Sequence, residues 1–373
     1  MQPMDHALHD LVERIRAAAA GGTALRIRGG GTLDFYGQAF DGEVLDTRPL
    51  TGVTNYEPSE LVVTARAGTP LAELETLLAQ QGQCLPFEPP HFGTGEPAGG
   101  TVGGMVAAGL SGPARASVGC VRDYVLGASM VNGRGEVLTF GGQVMKNVAG
   151  YDVSRLLAGS LGTLGLITEV SLKVLPVAPA QATLAFEMSQ AAALKALNEW
   201  GGQPLPLNAS CWAVAAGEGR LTVRLRGAVA AVHAACERMG GERVDDPAAS
   251  RQWQALRHQT DSFFMRPAAS ELCLWRLSVA QSAPVLDLPD AQLVEWHGGL
   301  RWLWAPAADA ARIRAAARQA GGHATLFRSS SQADRTAGVF EPLAAPLDRI
   351  HRELKQQFDP AHIFNPGRMY TDL

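Results

Sequence analysis

The stretch GGTVGGMVAAGLSG, Gly99–Gly112, decides how this chain is read. Six of its fourteen residues are glycine and none carries a charge. An anion held there meets backbone N–H groups rather than side-chain cations, because glycine lacks Cβ and tolerates positive φ. A second loop of the same kind lies upstream. Leu25–Arg28 reads as a short strand and runs into Gly29, Gly30, Gly31 and Thr32. Two such loops imply a diphosphate gripped from two sides, and hence a nucleotide cofactor.

Composition narrows the classes. The chain has 373 residues, enough for two or three domains with a real core. Charged residues make up 18% and the formal net charge is -4. That balance suits a soluble enzyme and argues against a nucleic-acid binder, which carries a basic excess. The 5 cysteines are widely spaced and form no CxxC pair, which argues against zinc or iron–sulfur ligation by this chain. Free thiols fit a reducing cytosol. The N-terminus lacks the apolar core of a secretory signal, and no apolar run is long enough to span a bilayer.

Leu8, Leu11, Val12 and Ile15 fall at helical spacing and predict an opening amphipathic helix. Strands are expected at 25–28, 43–46 and 60–66. Thr69 is the expected N-cap of a helix carrying Leu71, Leu74, Leu77 and Leu78, with Gly82 closing it. Residues 125–131 and 136–140 read as a hairpin, and 164–174 as a long strand. The segment 176–182 reads as a domain boundary. Beyond it strands and helices alternate to about 325, as helices on one face of an antiparallel sheet do. A last helix, 343–358, leads into the tail IFNPGRMY.

The Arg28–Thr32 loop is not a dinucleotide fingerprint, since GxGxxG needs a glycine where the chain has Asp34, and there is no GxxxxGK[ST]. The text RIRGGGT, LVVTARAGTPLAELE, LPFEPPHFG, GGTVGGMVAAGLSGP, VRDYVLGASMVNGRGE, GGQVMKNVAGYDVSRLLAGSLGTLGLITEVSLKVLP and IFNPGRMY nevertheless resembles, in this order, the FAD-binding oxidoreductases of the vanillyl-alcohol oxidase (PCMH-type) class. Within it the resemblance is greatest to the E subunits of bacterial glycolate oxidases.

The resemblance implies an α+β fold. A two-lobed PCMH-type FAD-binding domain would span 1–178 and an antiparallel-sheet α+β cap domain 179–325, with 326–373 returning to the FAD domain. Arg28, Gly29, Gly30, Gly31 and Thr32 would form the pyrophosphate loop. Gly99, Gly100, Thr101, Gly103 and Gly104 would lie along the diphosphate and the flavin edge. Gly150, Ser160, Gly162, Thr163 and Ile167 would line the nucleotide end, and Asn365 and Pro366 would return from the C-terminus. Many members tether the flavin through a histidine where this chain has Thr32, so the FAD is expected to be non-covalent.

Metal-dependent 2-hydroxy-acid dehydrogenases of the class carry a histidine-bearing GDGN-type motif. Here only Gly321-Gly322-His323-Ala324 stands in that region, so no metal is expected. Candidate catalytic groups reduce to His91, against which stands the commoner reading of a loop histidine, and Arg328, against which stands the commoner reading of a structural ion pair. The Trp pattern at 296, 302 and 304 reads as core or interface, and Arg328–Ser331 as an anion-holding or a solvated loop. By resemblance the chain is an FAD subunit of a complex oxidising glycolate to glyoxylate. Its partners would be a homologous catalytic flavin subunit and an iron–sulfur subunit. The alternative is a non-catalytic subunit that holds FAD, relays electrons or supports its catalytic sister. Either places it in the cytoplasm or peripherally at the inner membrane.

Overall fold

The computed structural model describes residues 5–93, 99–142, 152–215, 217–267, 271–288, 292–336 and 338–373. The chain divides into two units. The first comprises Met1–Leu110, Cys120–Pro176 and Pro342–Leu373; the second comprises Ser111–Gly119 and Val177–Glu341. The C-terminal return thus begins at Pro342 rather than 326. The reason is that the strand His323–Arg328 pairs with Leu272–Ser278 in the second unit's sheet.

In the first unit the opening helix is His6–Gly21. The Asp5 carboxylate accepts the Ala7 N–H, and Gly22 ends the helix at φ 65. Its buried face, Leu11, Val12, Ile15 and Ala18, shares a core with Leu25, Leu45 and Phe364. The strands Leu25–Arg28 and Glu43–Asp46 pair in parallel, and Phe364 bridges Leu25 in the same sense. A five-stranded antiparallel sheet follows in the order Val53–Glu57, Val62–Arg66, Leu166–Lys173, Val125–Val131 and Val137–Gly141. Leu74 and Leu78 of the helix Leu71–Gln80, with Val102 and Val106, fill the core against this sheet. Each such side chain contributes about 1.5–3 kcal/mol.

One local expectation fails. Pro70, not Thr69, is the N-cap of Leu71–Gln80. The Thr69 hydroxyl instead bonds both the N–H and the carbonyl of Gly52, at 3.0 and 3.1 Å. It fastens a turn to the sheet and leaves the helix without a side-chain cap.

The second unit is built on one eight-stranded antiparallel sheet. Its order is Glu242–Arg243, Ala180–Glu187, Glu218–Gly227, Leu207–Ala215, Leu293–Glu295, Leu300–Pro306, Leu272–Ser278 and His323–Arg328. The first half is a strand–helix–strand–strand–helix–strand module, with helices Gln190–Gly201 and Val229–Met239. The second half repeats the pattern with the single helix Ala310–Gln319, and the halves join where Trp212 faces Val294. The helix Asp246–His258, absent from the sequence expectation, is capped by Asp245 and buries Ala249, Trp253 and Leu256. Trp302 packs edge-on to Phe264 and Phe327, at 5.4 and 5.1 Å between centroids.

One turn of this unit is strained. Trp296 and His297 both hold left-handed backbones, φ 55 and 54. The His297 N–H donates to Ser210 Oγ at 2.9 Å; the ring nitrogens lie 3.1 Å from Ser210 Oγ and 3.0 Å from Ser117 Oγ. Burial pushes the His297 pKa down to about 4.

Candidate functional site

The first unit carries a cleft lined by both glycine loops. Arg28, Gly29, Gly30, Gly31 and Thr32 form one wall; Gly100, Thr101, Gly103 and Gly104 form the opposite one. Gly162, Ile167 and Asn365 complete it. The two glycine loops abut. A Cβ on Gly30 would strike the carbonyl oxygen of Gly99, and one on Gly29 would strike the Thr101 hydroxyl. Gly31 sits at φ +73 against the Arg28 guanidinium, so the turn needs glycine for conformation as well as space.

Gly103 has a different reason to be glycine. Its missing Cβ would lie 2.6 Å from the Cβ of Ala67, so it lets the helix Val102–Ala108 press against the end of a sheet strand. Thr101 caps that helix by accepting the Gly104 N–H at 3.2 Å.

This lining fits FAD. Among the described residues, the N–H groups of Gly29, Gly30, Gly31 and Thr32, and those of Gly100 and Thr101, have no acceptor within the protein. Donors on both walls of a glycine-lined cleft match a diphosphate, whose oxygens accept hydrogen bonds and tolerate no side-chain bulk. Small and apolar residues, among them Ala107, Ala108, Leu161 and Ile167, add apolar surface, as a flat apolar ring system requires.

A buried network holds these walls together. The Lys355 ammonium is 1% exposed and donates to Thr163 O, Phe364 O and Asp359 Oδ2 at 2.9, 2.8 and 2.7 Å. Asp359, also buried, accepts the N–H groups of Ile363 and Phe364 at 3.1 and 2.8 Å. Burial lowers the Lys355 pKa while the Asp359 carboxylate opposes the shift. Asn365, at φ 41, accepts the Ile27 N–H at 2.8 Å and donates to Leu161 O at 2.7 Å. The C-terminal segment therefore fastens the first strand and the 160–163 turn at once. Ser160 and Thr163 belong to that turn: the Gly162 N–H reaches Ser160 Oγ at 3.4 Å, and Thr163 Oγ1 donates to Ser160 O at 2.8 Å. Pro366 follows Asn365 and is half-buried. Gly150 lies outside the described residues.

Lys355, Asp359 and Arg368 were missed in the sequence. Arg368 lines the cleft, and its Nη2 donates to the carbonyls of Leu33 and Tyr36 at 3.2 and 3.5 Å. The signal for it was its place three residues beyond Asn365 in a tail already matched.

His91 and Arg328 belong to different units. His91 follows Pro90, a lining residue of the cleft, and its Nε2 lies 2.9 Å from Glu75 Oε2. Arg328 donates to Gln259 Oε1 at 2.7 Å and to Phe264 O at 3.2 Å. Burial, then the Arg266 charge, push its pKa down to about 10. In the serine loop that follows, Ser330 Oγ, Ser331 Oγ and Ser331 N–H all donate to Asp334 Oδ2, so a carboxylate of the chain itself occupies the anion position. Among the described residues no group of three or more His, Cys, Asp or Glu side chains is placed to hold a metal ion, and no helix is long and apolar enough to cross a membrane.

Comparison with known proteins agrees with this cleft. Residues 6–141 match the FAD binding domain family. Glycolate oxidase subunit GlcE of Escherichia coli is 48% identical over 363 residues, 97% of each chain. Glycolate oxidase subunit GlcD of Bacillus subtilis is 31% identical over 143 residues, 38% of this chain and 29% of that one. Alkyldihydroxyacetonephosphate synthase shares the fold at a TM-score of 0.64 with 15% identity, covering 98% of this chain and 76% of that one. The chain is an FAD-dependent oxidoreductase subunit with an α+β fold, and it belongs to the family of glycolate oxidase subunit GlcE.

Proposed function

We propose that this chain holds FAD within a heteromeric complex that oxidises glycolate to glyoxylate, and that flavin reduction by substrate requires its partner subunits. The observation that carries this reading is the 48% identity with the Escherichia coli GlcE subunit across 97% of both chains. The glycine-lined cleft supports it by offering donors on two walls to a diphosphate. When bound, FAD supplies two-electron hydride acceptance.

The chain's own residues then have defined tasks. Gly29–Thr32 and Gly100–Thr101 present N–H groups to the diphosphate, and Asn365 and Lys355 hold the walls at fixed spacing. A 2-hydroxy acid also needs a base for its hydroxyl proton and a cation for its carboxylate. His91 and Arg328 are the proposed candidates for those roles. His91 is engaged by Glu75 and Arg328 by Gln259 and Phe264, which favours a supporting role for the isolated chain. The proposed partners are a homologous flavin subunit and an iron–sulfur subunit, which passes electrons onward.

Anaerobic mixing of the purified chain with glycolate tests this directly. Little bleaching of the flavin band is expected from the chain alone, and full bleaching after the partner subunits are added. Rapid stoichiometric bleaching of the lone chain would overturn the requirement for partners. Acid precipitation should leave yellow flavin in the supernatant, since Thr32 offers no tethering imidazole; flavin in the pellet would sink the non-covalent assignment.

A further inference from the structure

We infer that the second unit carries a binding site for a zwitterionic α-amino acid, held between Arg220 and Asp261 in a cleft on one face of its sheet. The inference goes beyond the FAD reading and does not depend on it. One face of the strands Leu207–Ala215 and Glu218–Gly227 is closed, since Trp212, Leu221 and Val223 pack into a core with Leu194 and Val232 of the helices Gln190–Gly201 and Val229–Met239. On the other face Cys211 stands opposite Thr222, and Ala213 opposite Arg220. The helix Asp246–His258 covers part of that face. Its Gln252 Nε2 donates to Thr222 Oγ1 at 3.2 Å, and its Trp253 Nε1 to Thr183 Oγ1 at 2.9 Å. The short helix Ser262–Phe264 follows and is fastened by Trp304 Nε1, which donates to Phe263 O at 2.7 Å. Between this roof and the strands lies the cleft.

Arg220 and Asp261 are the two charged groups among its described lining residues, and each has capacity to spare. Arg220 Nη2 pairs with Glu242 Oε2 at 3.1 Å, but Glu242 is 68% exposed, so that pair is solvated and weak. Among the described residues Arg220 Nε and Nη1 meet no acceptor. Asp261 Oδ1 accepts the Phe263 N–H at 2.9 Å, while Oδ2 accepts no bond among the described residues. Cys211 adds no charge to the floor: burial, then the Glu295 and Asp261 carboxylates, push its thiol well above its ordinary value. A lone cation entering the cleft is repelled by Arg220 and a lone anion by Asp261. A ligand that carries both charges satisfies both groups, its carboxylate on the remaining guanidinium donors and its ammonium on Asp261 Oδ2. Val214, Leu256 and Leu293 offer apolar surface to its side chain. The fastened roof holds the site in place before the ligand arrives, which lowers the cost of ordering it.

The test is a ligand-observed NMR titration of the full-length chain with L-leucine, N-acetyl-L-leucine, which keeps the carboxylate alone, and isoamylamine, which keeps the ammonium alone. Leucine should bind saturably and at least tenfold more tightly than either analogue. Asp261→Asn and Arg220→Gln should each weaken leucine about tenfold. The preference over N-acetyl-L-leucine should vanish in the first variant, and that over isoamylamine in the second. Asparagine keeps an oxygen for the Phe263 N–H, so the turn is retained; should that variant fail to fold, Arg220→Gln and the three wild-type titrations decide. No saturable binding of leucine, equal binding of all three compounds, or variants that bind leucine as wild type does would each overturn the inference. Displacement of leucine by glycolate would overturn it as well, since the site would then accept a lone anion.

Discussion

Gly30 in the first unit and Arg328 in the second place polar groups in opposite ways. At Gly30 there is no side chain, and among the described residues the N–H groups of Gly29, Gly30, Gly31 and Thr32 meet no acceptor. Arg328 has five donors, yet it binds Gln259 and Phe264 O within its own unit. The same holds around it: the serine loop after Arg328 closes on Asp334, and His297 bonds two serines. These polar side chains thus stabilise the second unit's own fold, whereas the glycine-lined cleft keeps backbone donors uncommitted. A ligand site is marked here by what its residues do not reach.

The strongest way to test that contrast is at the network behind the cleft. Lys355→Met leaves Asp359 buried and without its cation, and should cost about 3–5 kcal/mol of stability. Chemical denaturation of the variant measures it, and a loss below about 1 kcal/mol would mean the pair is not buried as described.

His297 provides the matching test in the second unit. Its folded pKa lies near 4 against an ordinary value of 6.5, so the unfolded chain takes up the proton first. Its stabilising contribution is complete above the unfolded value and declines as pH falls from there through the folded value. The loss should approach about 3 kcal/mol at the acid end. Denaturation midpoints of wild type and His297→Gln across that window check the sign: the variant should lack this component. An unchanged pH slope in the variant would assign the acid sensitivity elsewhere.

The third effect separates two kinds of glycine. Gly30→Val drives a side chain into Gly99 and should lower FAD affinity about a hundredfold with modest loss of stability. Gly103→Val should instead reduce stability together with flavin content, because its Cβ meets Ala67. Full flavin in purified Gly30→Val protein would remove the loop from the site.

The smallest expected change is at Arg328. Arg328→Gln should cost about 1 kcal/mol through its lost hydrogen bonds and leave FAD content as in wild type. In the assembled complex, a raised KM for glycolate with kcat unchanged would promote Arg328 to a substrate-binding residue.

The glycine loops were legible because a missing Cβ is a property of the residue itself, visible before any folding. What Gly103 faces was not legible: both a diphosphate and Ala67 call for the same residue type. Lys355 lies in the last turn of the helix Leu347–Phe358 and Asp359 is its C-cap; four-residue spacing is common to solvated and buried pairs, and only tertiary packing buries this one. The helix Asp246–His258 escaped for a related reason. Its start signals, Asp245 and Pro247, are clear, but only Ala249, Trp253 and Leu256 are buried, too sparse a stripe to stand out. Thr69 shows the reverse error, in which a good capping residue is recruited by Gly52 across the fold.

The return of Asn365 and Arg368 to Ile27 and Leu33 has a consequence for the protein's synthesis. Ile27 and Asn365 are 338 residues apart in sequence, and translation proceeds at about 5–20 residues per second. The first strand and the glycine turn therefore wait tens of seconds before their closing residues are made. A nascent chain from which those residues have not yet emerged lacks part of its cofactor site. Flavin loading becomes a step that follows the synthesis and folding of the segment holding Asn365 and Arg368, and a chain without that segment cannot complete the cleft.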